Sequence, residues 1–576
     1  MKKAVVLMAI LSQSLGMIHA DNYAETRGIG QYPGRPSQFT APKMVKDYIY
    51  RNIALNRMVY TSSNADFNLT GHLVTDGIIT SKASSFLSVK TNEGELSNRD
   101  KEKMIDGNTV TSQYIKGENA FVEFNWEAMK VNLKKLKFTG ELAFYKDKAS
   151  QGYTIRVMGS HNGKKWEVLG EEKGSDLPGV ATKQQVSSDP NKFQDVVKLP
   201  LRKLNVSIPL KKPGSYEHVR IELIMPGAAW WRIKLIDNST SWRPSMHFAS
   251  VWKSDLAKKT DAKIQWLYVD LGTEADFDQV NLFWINKARN GKIQVSNDAK
   301  NWNDIATLGQ QKQKGLIEKI ACKGHGRYVR LLLTEPDASG RFALSEMQVM
   351  GKGGLRAETA NTLTSTNGKQ MLNQWQLRRE GSDTWIQATV PGTVLTSYMN
   401  IGAVPDNRYD DNMRQISESF FNSDFWYRTT IEYKPSANKQ QHTYLNFDGI
   451  NWKANILLNG EKIGRIDGAF IRSRIDITKK LKPSANKLEV HVIKNAHFGV
   501  VKQKNLQNTD LNGGELGADN PTFHASIGWD WITNTPGREI GIWNDVYLTH
   551  DNGVSVSDPV VTSTLNLPDT LATMTP

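Results

Sequence analysis

Short runs of alternating apolar and polar residues, broken by Gly, Asn and Pro, recur along the whole chain. The run LEVHVI at 488–493 alternates with the two-residue period of a half-buried strand. Between NILL and EKIG, Asn459-Gly460 supplies two positions that tolerate positive φ, as a tight hairpin requires. Val390-Pro391-Gly392-Thr393 reads as a turn, with Pro fixing one φ and Gly allowing the reversal. Patterns of this kind predict an all-β protein rather than a helical bundle. At 576 residues, three or four domains are expected.

One pattern occurs twice. Residues 153–169 (YTIRVMGSHNGKKWEVL) and 291–308 (GKIQVSNDAKNWNDIATL) each give an alternating strand, a polar turn and a Trp, Trp166 or Trp302, that opens another strand. YEHVRIEL at 216–223 matches GRYVRLLL at 326–333, and each copy closes on an apolar strand, WWRIKLID at 230–237 or FALSEMQVMG at 342–351. With WLYVDLG at 266–272, these pieces resemble discoidin-like domains, also called coagulation factor type C domains. The resemblance implies β-sandwiches that often bind carbohydrate and often hold a structural calcium ion. No calcium ligand set can be assigned from the sequence, and no other cofactor is expected.

The pieces come in an unusual order. An opening stretch typical of such domains, NIALNRMVYTSSNADFNLTGHLVTDG, fills 52–77, but its continuation waits until Trp252-Lys253-Ser254 and Val269-Asp270-Leu271-Gly272. Between them lies a second, shorter opening motif, MIDGNTV at 104–110. This order suggests nesting: one domain from 46–80 plus 241–352, with another inserted at 81–240. Two tandem domains with eroded motifs are the alternative. Sugars dock on aromatic faces, so Trp230, Trp231, Trp242 and Trp252 are candidates, although a core position is the commoner fate of any one Trp.

After a joint at 353–369, residues 370–548 carry several motifs in order: VPGTV, DFWYR, FDGINWKANILLNG and, at 528–548, GWDWITNTPGREIGIWNDVYL. This order resembles the jelly-roll sugar-binding domain of glycoside hydrolase family 2, in the branch of β-mannosidases and exo-β-glucosaminidases. In that branch a Trp-Asp loop of this domain reaches the active site of a neighbouring barrel. The resemblance places that role on Trp529 and Asp530, with Trp529 or Trp531 as a wall and Asp530 accepting from a sugar hydroxyl or pairing with an amino group. Asp410 to Asn412 lie either near substrate or in a plain loop, and Asn407 stands where the family often has Pro. His497 and His524 are expected to be structural. The expected architecture is therefore two discoidin-like β-sandwiches, a jelly-roll β-sandwich and, at 549–576, the truncated start of an immunoglobulin-like domain.

Retaining glycosidases use two carboxyls, which family 2 carries on a (β/α)₈ barrel as glutamates, the first preceded by Asn. The only Asn-Glu pair here, Asn92-Glu93, falls in the polar stretch TNEGELSNRD, where chance is the better explanation. The expectation is thus an N-terminal, non-catalytic part of a glycosidase acting on β-linked glycans, with the catalytic barrel absent. A stand-alone carbohydrate-binding or adhesion protein is the alternative.

Composition adds three constraints. Lys2 and Lys3 before the apolar run Ala4 to Leu11, with Ala20 ahead of Asp21, read as a cleaved export signal at 1–20, followed by a polar linker at 21–45. Export implies a periplasmic or secreted protein, and no later segment suggests a membrane span. A single cysteine, Cys322, cannot form an internal disulfide and is expected to behave as a small apolar residue. The net charge of +14 is dispersed, with no basic run interleaved with aromatics, so a glycan partner is expected and nucleic acid is not. The oligomeric state is not readable.

Overall fold

The computed structural model describes residues 42–575 except 67, 82–85, 97–99, 128, 146–151, 175–181, 188–195, 238, 244–247, 256–263, 310–314, 338, 359–362, 364, 366–367, 411, 497–499, 502–513, 516–536, 538, 557–558 and 567–570. The export signal expected at 1–20 lies outside these residues. The chain is all-β, and it divides into two compact units. One holds residues up to 81, 250–501 and from 515 onward, and the other is built on 82–249.

The first unit opens with a sandwich organised by one long strand, Gln265–Asn286. Its first half pairs with Met58–Thr61 on one side and with Ile317–Glu335 on the other. Register shifts near Asp270 and Phe277 bend it, and its second half pairs with Ala343–Lys352. Strands from the start of the sandwich thus join strands some two hundred residues later in one sheet. Arg51–Asn52 likewise pairs with Ala343–Lys352, and Met44–Asp47 pairs with Gly354–Ala357. Leu267, Val269, Val280, Trp252, Phe342 and Leu344 fill the core, because alternate residues of each strand point inward. Burying each large apolar side chain stabilises the fold by roughly 1.5–3 kcal/mol.

The chain leaves this sandwich after Thr80 and re-enters at Ser250. The two points touch: the Ser250 N–H donates to Thr80 Oγ1 at 3.2 Å. Ser345 joins both, accepting from Thr80 N at 2.7 Å and donating to the Ser250 carbonyl at 3.0 Å.

The second sandwich of this unit has a four-stranded sheet, Gln370–Met371, Val546–Asp551, His442–Phe447 and Ser473–Asp476, in that spatial order. Facing it is a six-stranded sheet centred on Phe425–Tyr433, Ser484–Ile493 and Lys453–Leu458. Asn459 and Gly460 adopt φ of 53° and 83° in the hairpin to Glu461–Asp467, as the sequence requires. The turn after Val390 leads into the helix Val394–Asn400, whose first turn is capped by the Thr393 hydroxyl accepting from Thr396 N at 3.0 Å.

The opening stretch of the first sandwich packs on the second. Arg57 Nη2 donates to the Ile401 carbonyl at 2.6 Å, and Ser417 Oγ donates to the Asn68 carbonyl at 3.0 Å. His72 is buried beside Phe420, with ring centroids 5.3 Å apart, and its Nε2 accepts from Ser417 N at 3.4 Å. Burial holds the His72 pKa down to about 3.

The unit built on 82–249 is another two-sheet sandwich. One sheet runs through Tyr153–Ser160, His218–Ile224, Asn119–Glu127 and Phe86–Thr91, and the other through Val196–Tyr216, Val131–Phe144 and Ala228–Ile236. Its core holds Phe124, Trp126, Phe138, Trp231 and Trp242. Near the C-terminus, Thr562–Asn566 and Leu571–Thr575 form a two-stranded hairpin. Among the described residues, no helix is long and apolar enough to cross a membrane.

Candidate functional site

The segment holding Trp529, Asp530 and Trp531 lies outside the described residues, as do His497 and His524. The structure does describe the limb on which that segment returns to the jelly roll, Gly537 to Ile542. Ile540 N donates to the Gly537 carbonyl at 3.0 Å, closing a turn. The turn at Pro391-Gly392-Thr393 then holds the limb: Gly392 N donates to the Ile542 carbonyl at 2.9 Å and Val394 N to the Ile540 carbonyl at 2.8 Å. On the other side, Asn451 and Gly541 exchange backbone hydrogen bonds of 2.9 and 3.0 Å, and Asn451 Nδ2 donates to the Glu539 carbonyl at 3.1 Å.

Gly541 is required where it stands. Its φ is +137°, and a Cβ there would lie 2.7 Å from Tyr427 Oη and 3.0 Å from Val394 N. The three motifs that sequence reading treats as separate, VPGT, FDGIN and GIW, therefore meet at one place.

Around this anchor lie further aromatic and charged groups. Trp452 Nε1 donates to the Lys494 carbonyl at 3.3 Å, and Lys453 Nζ lies 3.8 Å from the Trp452 ring centre. Trp543 donates to the Ala469 carbonyl at 3.0 Å and packs against Gly449, where a Cβ would meet its ring at 2.5 Å. Tyr547 Oη donates to Asp448 Oδ1 at 3.1 Å, and Lys369 stands 3.5 Å from the same carboxylate. Burial raises the Asp545 pKa, against the pull of Lys369. Such an arrangement positions a loop and presents hydrogen-bonding groups beside aromatic faces.

The first sandwich holds a second feature, a pair of buried carboxylates. Burial raises Asp76 to about 7, more than the nearby Arg379 charge and the hydrogen bonds from Ser250 and Ile78 lower it. Burial also raises Glu346 well above the usual range, and the Asp76 charge adds to the effect. Ser250 Oγ donates to Asp76 Oδ2, and Gly77 N donates to Glu346 Oε2 at 3.3 Å, but Glu346 Oε1 is buried with no hydrogen-bond partner. Two adjacent buried carboxylates, one with a spare oxygen, and the Ser250 hydroxyl bonded to Asp76 are donors of the kind a hard cation such as calcium takes. Among the described residues, three acidic, His or Cys groups do not gather at any one point, so the remaining donors would be hydroxyl and carbonyl oxygens.

Trp230, Trp231, Trp242 and Trp252 are all buried, so none offers a face to a sugar. Asn92 and Glu93 sit in the turn between Phe86–Thr91 and Gly94–Glu95, where Asn92 Nδ2 donates to the Lys116 carbonyl at 2.7 Å and Glu93 stands 3.5 Å from Lys116 Nζ. The loop before Asn412 is closed on itself, with Asp406 paired to Arg408 and Asn412 Nδ2 donating to the Asp406 carbonyl at 2.9 Å. Cys322 packs in the core of the first sandwich, and burial pushes its thiol up to about 11. Sequence reading missed a cluster of half-exposed aromatics, Tyr60, Trp266, Tyr268 and Tyr328, on the outer face of that sandwich.

Comparison with known proteins adds family information. Residues 375–544 match the family described as glycosyl hydrolase 2 galactose-binding domain-like, and residues 234–331 match one described as NedA-like, galactose-binding domain. The chain is 37% identical over 179 residues to a mannosylglycoprotein endo-beta-mannosidase of Lilium longiflorum, covering 30% of this chain and 18% of that protein. It is 27% identical over 188 residues to an exo-beta-D-glucosaminidase of Streptomyces avermitilis, covering 32% and 18%. A solved beta-D-mannosidase from Dictyoglomus thermophilum is 28% identical, with 31% of this chain and 22% of that one covered, at a TM-score of 0.25. The chain thus spans about 18% of the length of these two curated relatives. Over residues 375–544, the chain resembles the glycosyl hydrolase 2 branch that includes β-mannosidases and exo-β-glucosaminidases.

Proposed function

We propose that this chain is the glycan-positioning, N-terminal part of an exported glycosidase acting on β-linked mannose, glucosamine or a related sugar. The observation that carries the reading is the convergence of VPGT, FDGIN and GIW on the limb at Gly541, within the stretch matched to glycosyl hydrolase 2. A limb held by four backbone hydrogen bonds and a side-chain amide gives the Trp-Asp-Trp segment a rigid base. On this reading Asp530 accepts from a sugar hydroxyl or pairs with an amino group, and Trp529 or Trp531 walls the sugar ring. The acid/base and nucleophile of the retaining reaction are assigned to a separate barrel, outside these sandwiches.

Two further parts belong to the proposal. Asp76 and Glu346 hold a structural calcium ion, which neutralises their charge and ties the start of the sandwich to the strand Ala343–Lys352. The first twenty residues are removed on export, a step that N-terminal sequencing of the mature protein checks.

The decisive experiment has two arms. The pure chain is incubated with nitrophenyl β-mannoside and β-glucosaminide, and neither is expected to turn over. The same glycosides are then titrated by calorimetry against the parent and an Asp530→Asn variant, with weaker binding expected for the variant. Turnover by the pure chain overturns the assignment of catalysis elsewhere. Equal binding by parent and variant removes Asp530 from the site.

A further inference from the structure

The two discoidin-like sandwiches give one fold with two different outer faces, and the difference points to a ligand. In the unit built on 82–249, a row crosses the outer face of the sheet from Lys90 to Glu123 to Arg220, each directly opposite the next. In the first unit the corresponding row runs Tyr60, Tyr268, Arg330. The Arg at the end is common to both, and so is the Trp beneath it. Arg220 stacks 4.6 Å above Trp166, and Arg330 stacks 4.0 Å above Trp302. That stack is scaffold. The rest of the row is not, because the fold accepts a lysine and a glutamate at these positions, with Glu123 ion-paired to Arg220.

Where its sister carries charge, the first unit carries a continuous aromatic surface. Tyr60 and Tyr268 rings lie 5.2 Å apart, Trp266 stacks on Tyr268 at 5.5 Å, and Tyr328 meets Tyr268 edge-on at 5.8 Å. All four are half-exposed. An outward sheet face normally presents polar side chains to water, so this much half-exposed ring calls for a partner.

The polar groups beside the rings narrow the choice. Arg330 Nε donates to Gln294 Oε1 at 2.8 Å, and Gln294 Nε2 donates to Asp304 Oδ1 at 2.6 Å. Lys292 pairs with Asp304 at 2.5 Å, and Arg327 pairs with Asp270 through two bonds of 2.7 and 2.8 Å. Arg327 has Asp270 to itself, while Lys292 and Arg330 share the charge of Asp304, so three cations stand against two acids and the face offers a polyanion only a weak field. Planar, pre-oriented hydrogen-bonding groups next to ring faces suit a molecule with an apolar ring face and a rim of hydroxyls.

We propose that this face, centred on Tyr268, binds a neutral carbohydrate chain along the sheet. It lies on the broad face of the sandwich. The choice of carbohydrate rests on the glycan reading of the whole chain, whereas the existence of the face does not.

The sister unit supplies the test variants. The double change Tyr60→Lys with Tyr268→Glu installs a pattern that the same fold already tolerates, with the new carboxylate opposite Arg330 as Glu123 is opposite Arg220. Binding of a soluble β-mannan and a neutral β-glucan to the full chain is measured by affinity electrophoresis and calorimetry. The parent should bind at least one polymer, and the double variant should bind it at least tenfold more weakly. Saturating nitrophenyl β-mannoside should leave polymer binding unchanged. As a check independent of the variant's folding, the polymer should shift the parent's tryptophan emission, and Trp266→Phe should reduce that shift. Several results would each overturn the proposal: no polymer binding by the parent, parent-like binding by the double variant, competition by the monosaccharide glycoside, or a double variant whose only effect is to dissociate a self-associated parent in sedimentation. None of these depends on whether Asp530 binds a sugar.

Discussion

Acidification should loosen the junction at His72, and the size of the effect follows from its burial. The imidazole is 4% exposed and packs on Phe420, with Nε2 accepting from Ser417 and Nδ1 buried without a hydrogen-bond partner. Burial holds its pKa at about 3, against 6.5 when free. The folded value lies below the unfolded one, so between these limits the unfolded chain binds a proton that the folded chain does not. Stability from this group is therefore complete above pH 6.5 and is lost as pH falls toward 3. At pH 5 the folded value is still far below ambient, so the loss depends only on the unfolded pKa and amounts to about 2 kcal/mol. Urea unfolding followed by tryptophan fluorescence at pH 7, 6 and 5 measures it, with His72→Gln as the reference that cannot titrate. Carboxylates contribute equally to both proteins and cancel. The parent should lose about 2 kcal/mol more than the variant between pH 7 and 5. Parallel pH profiles would refute the idea that His72 is held neutral by its surroundings.

Three further outcomes are expected. Gly541→Ala should cost on the order of 2–4 kcal/mol in urea unfolding, because the added carbon strains a positive φ and meets Tyr427 Oη; an unchanged midpoint would mean that the limb is not fixed as described. Chelation by EDTA should lower the parent's melting temperature, calcium should restore it, and Glu346→Gln should shrink both effects; a parent indifferent to EDTA removes the cation from the proposal. Cys322, with its thiol pushed up to about 11, should react with iodoacetamide at pH 8 about 100-fold more slowly in the folded chain than in urea, and equal rates would place it at the surface.

Much of the fold was legible because its signals are local. The strand at 488–493, the hairpin at Asn459-Gly460 and the turn at Pro391-Gly392 each rest on a few adjacent residues, and each forms as read. What failed to show depends on distant partners. Trp230, Trp231, Trp242 and Trp252 could have been surface or core, since a strand's pattern does not say which of its faces another layer will cover. In WLYVDLG the alternation is masked, because Leu267 and Val269 face the core while Trp266 and Tyr268, also large and ring-bearing, face outward. Asp76 and Glu346 come together only when the start of the sandwich pairs with strands far along the chain. The repeated Trp and the matching strands YEHVRIEL and GRYVRLLL were visible, but that they meet as a scaffold became clear only from the stacking of Arg220 on Trp166 and Arg330 on Trp302.

The stitching of Thr80 to Ser250 through Ser345 makes the first sandwich an indifferent host. Its two stumps are fastened to each other and to a third strand, so the length and identity of whatever is threaded between them barely touch its own closure entropy. A passenger of this kind can be exchanged, trimmed or cut out, with a short turn joining the stumps, while the host keeps its core. That freedom allows the two sandwiches to diverge in their surfaces, one ionic and one aromatic, without either endangering the folding of the other.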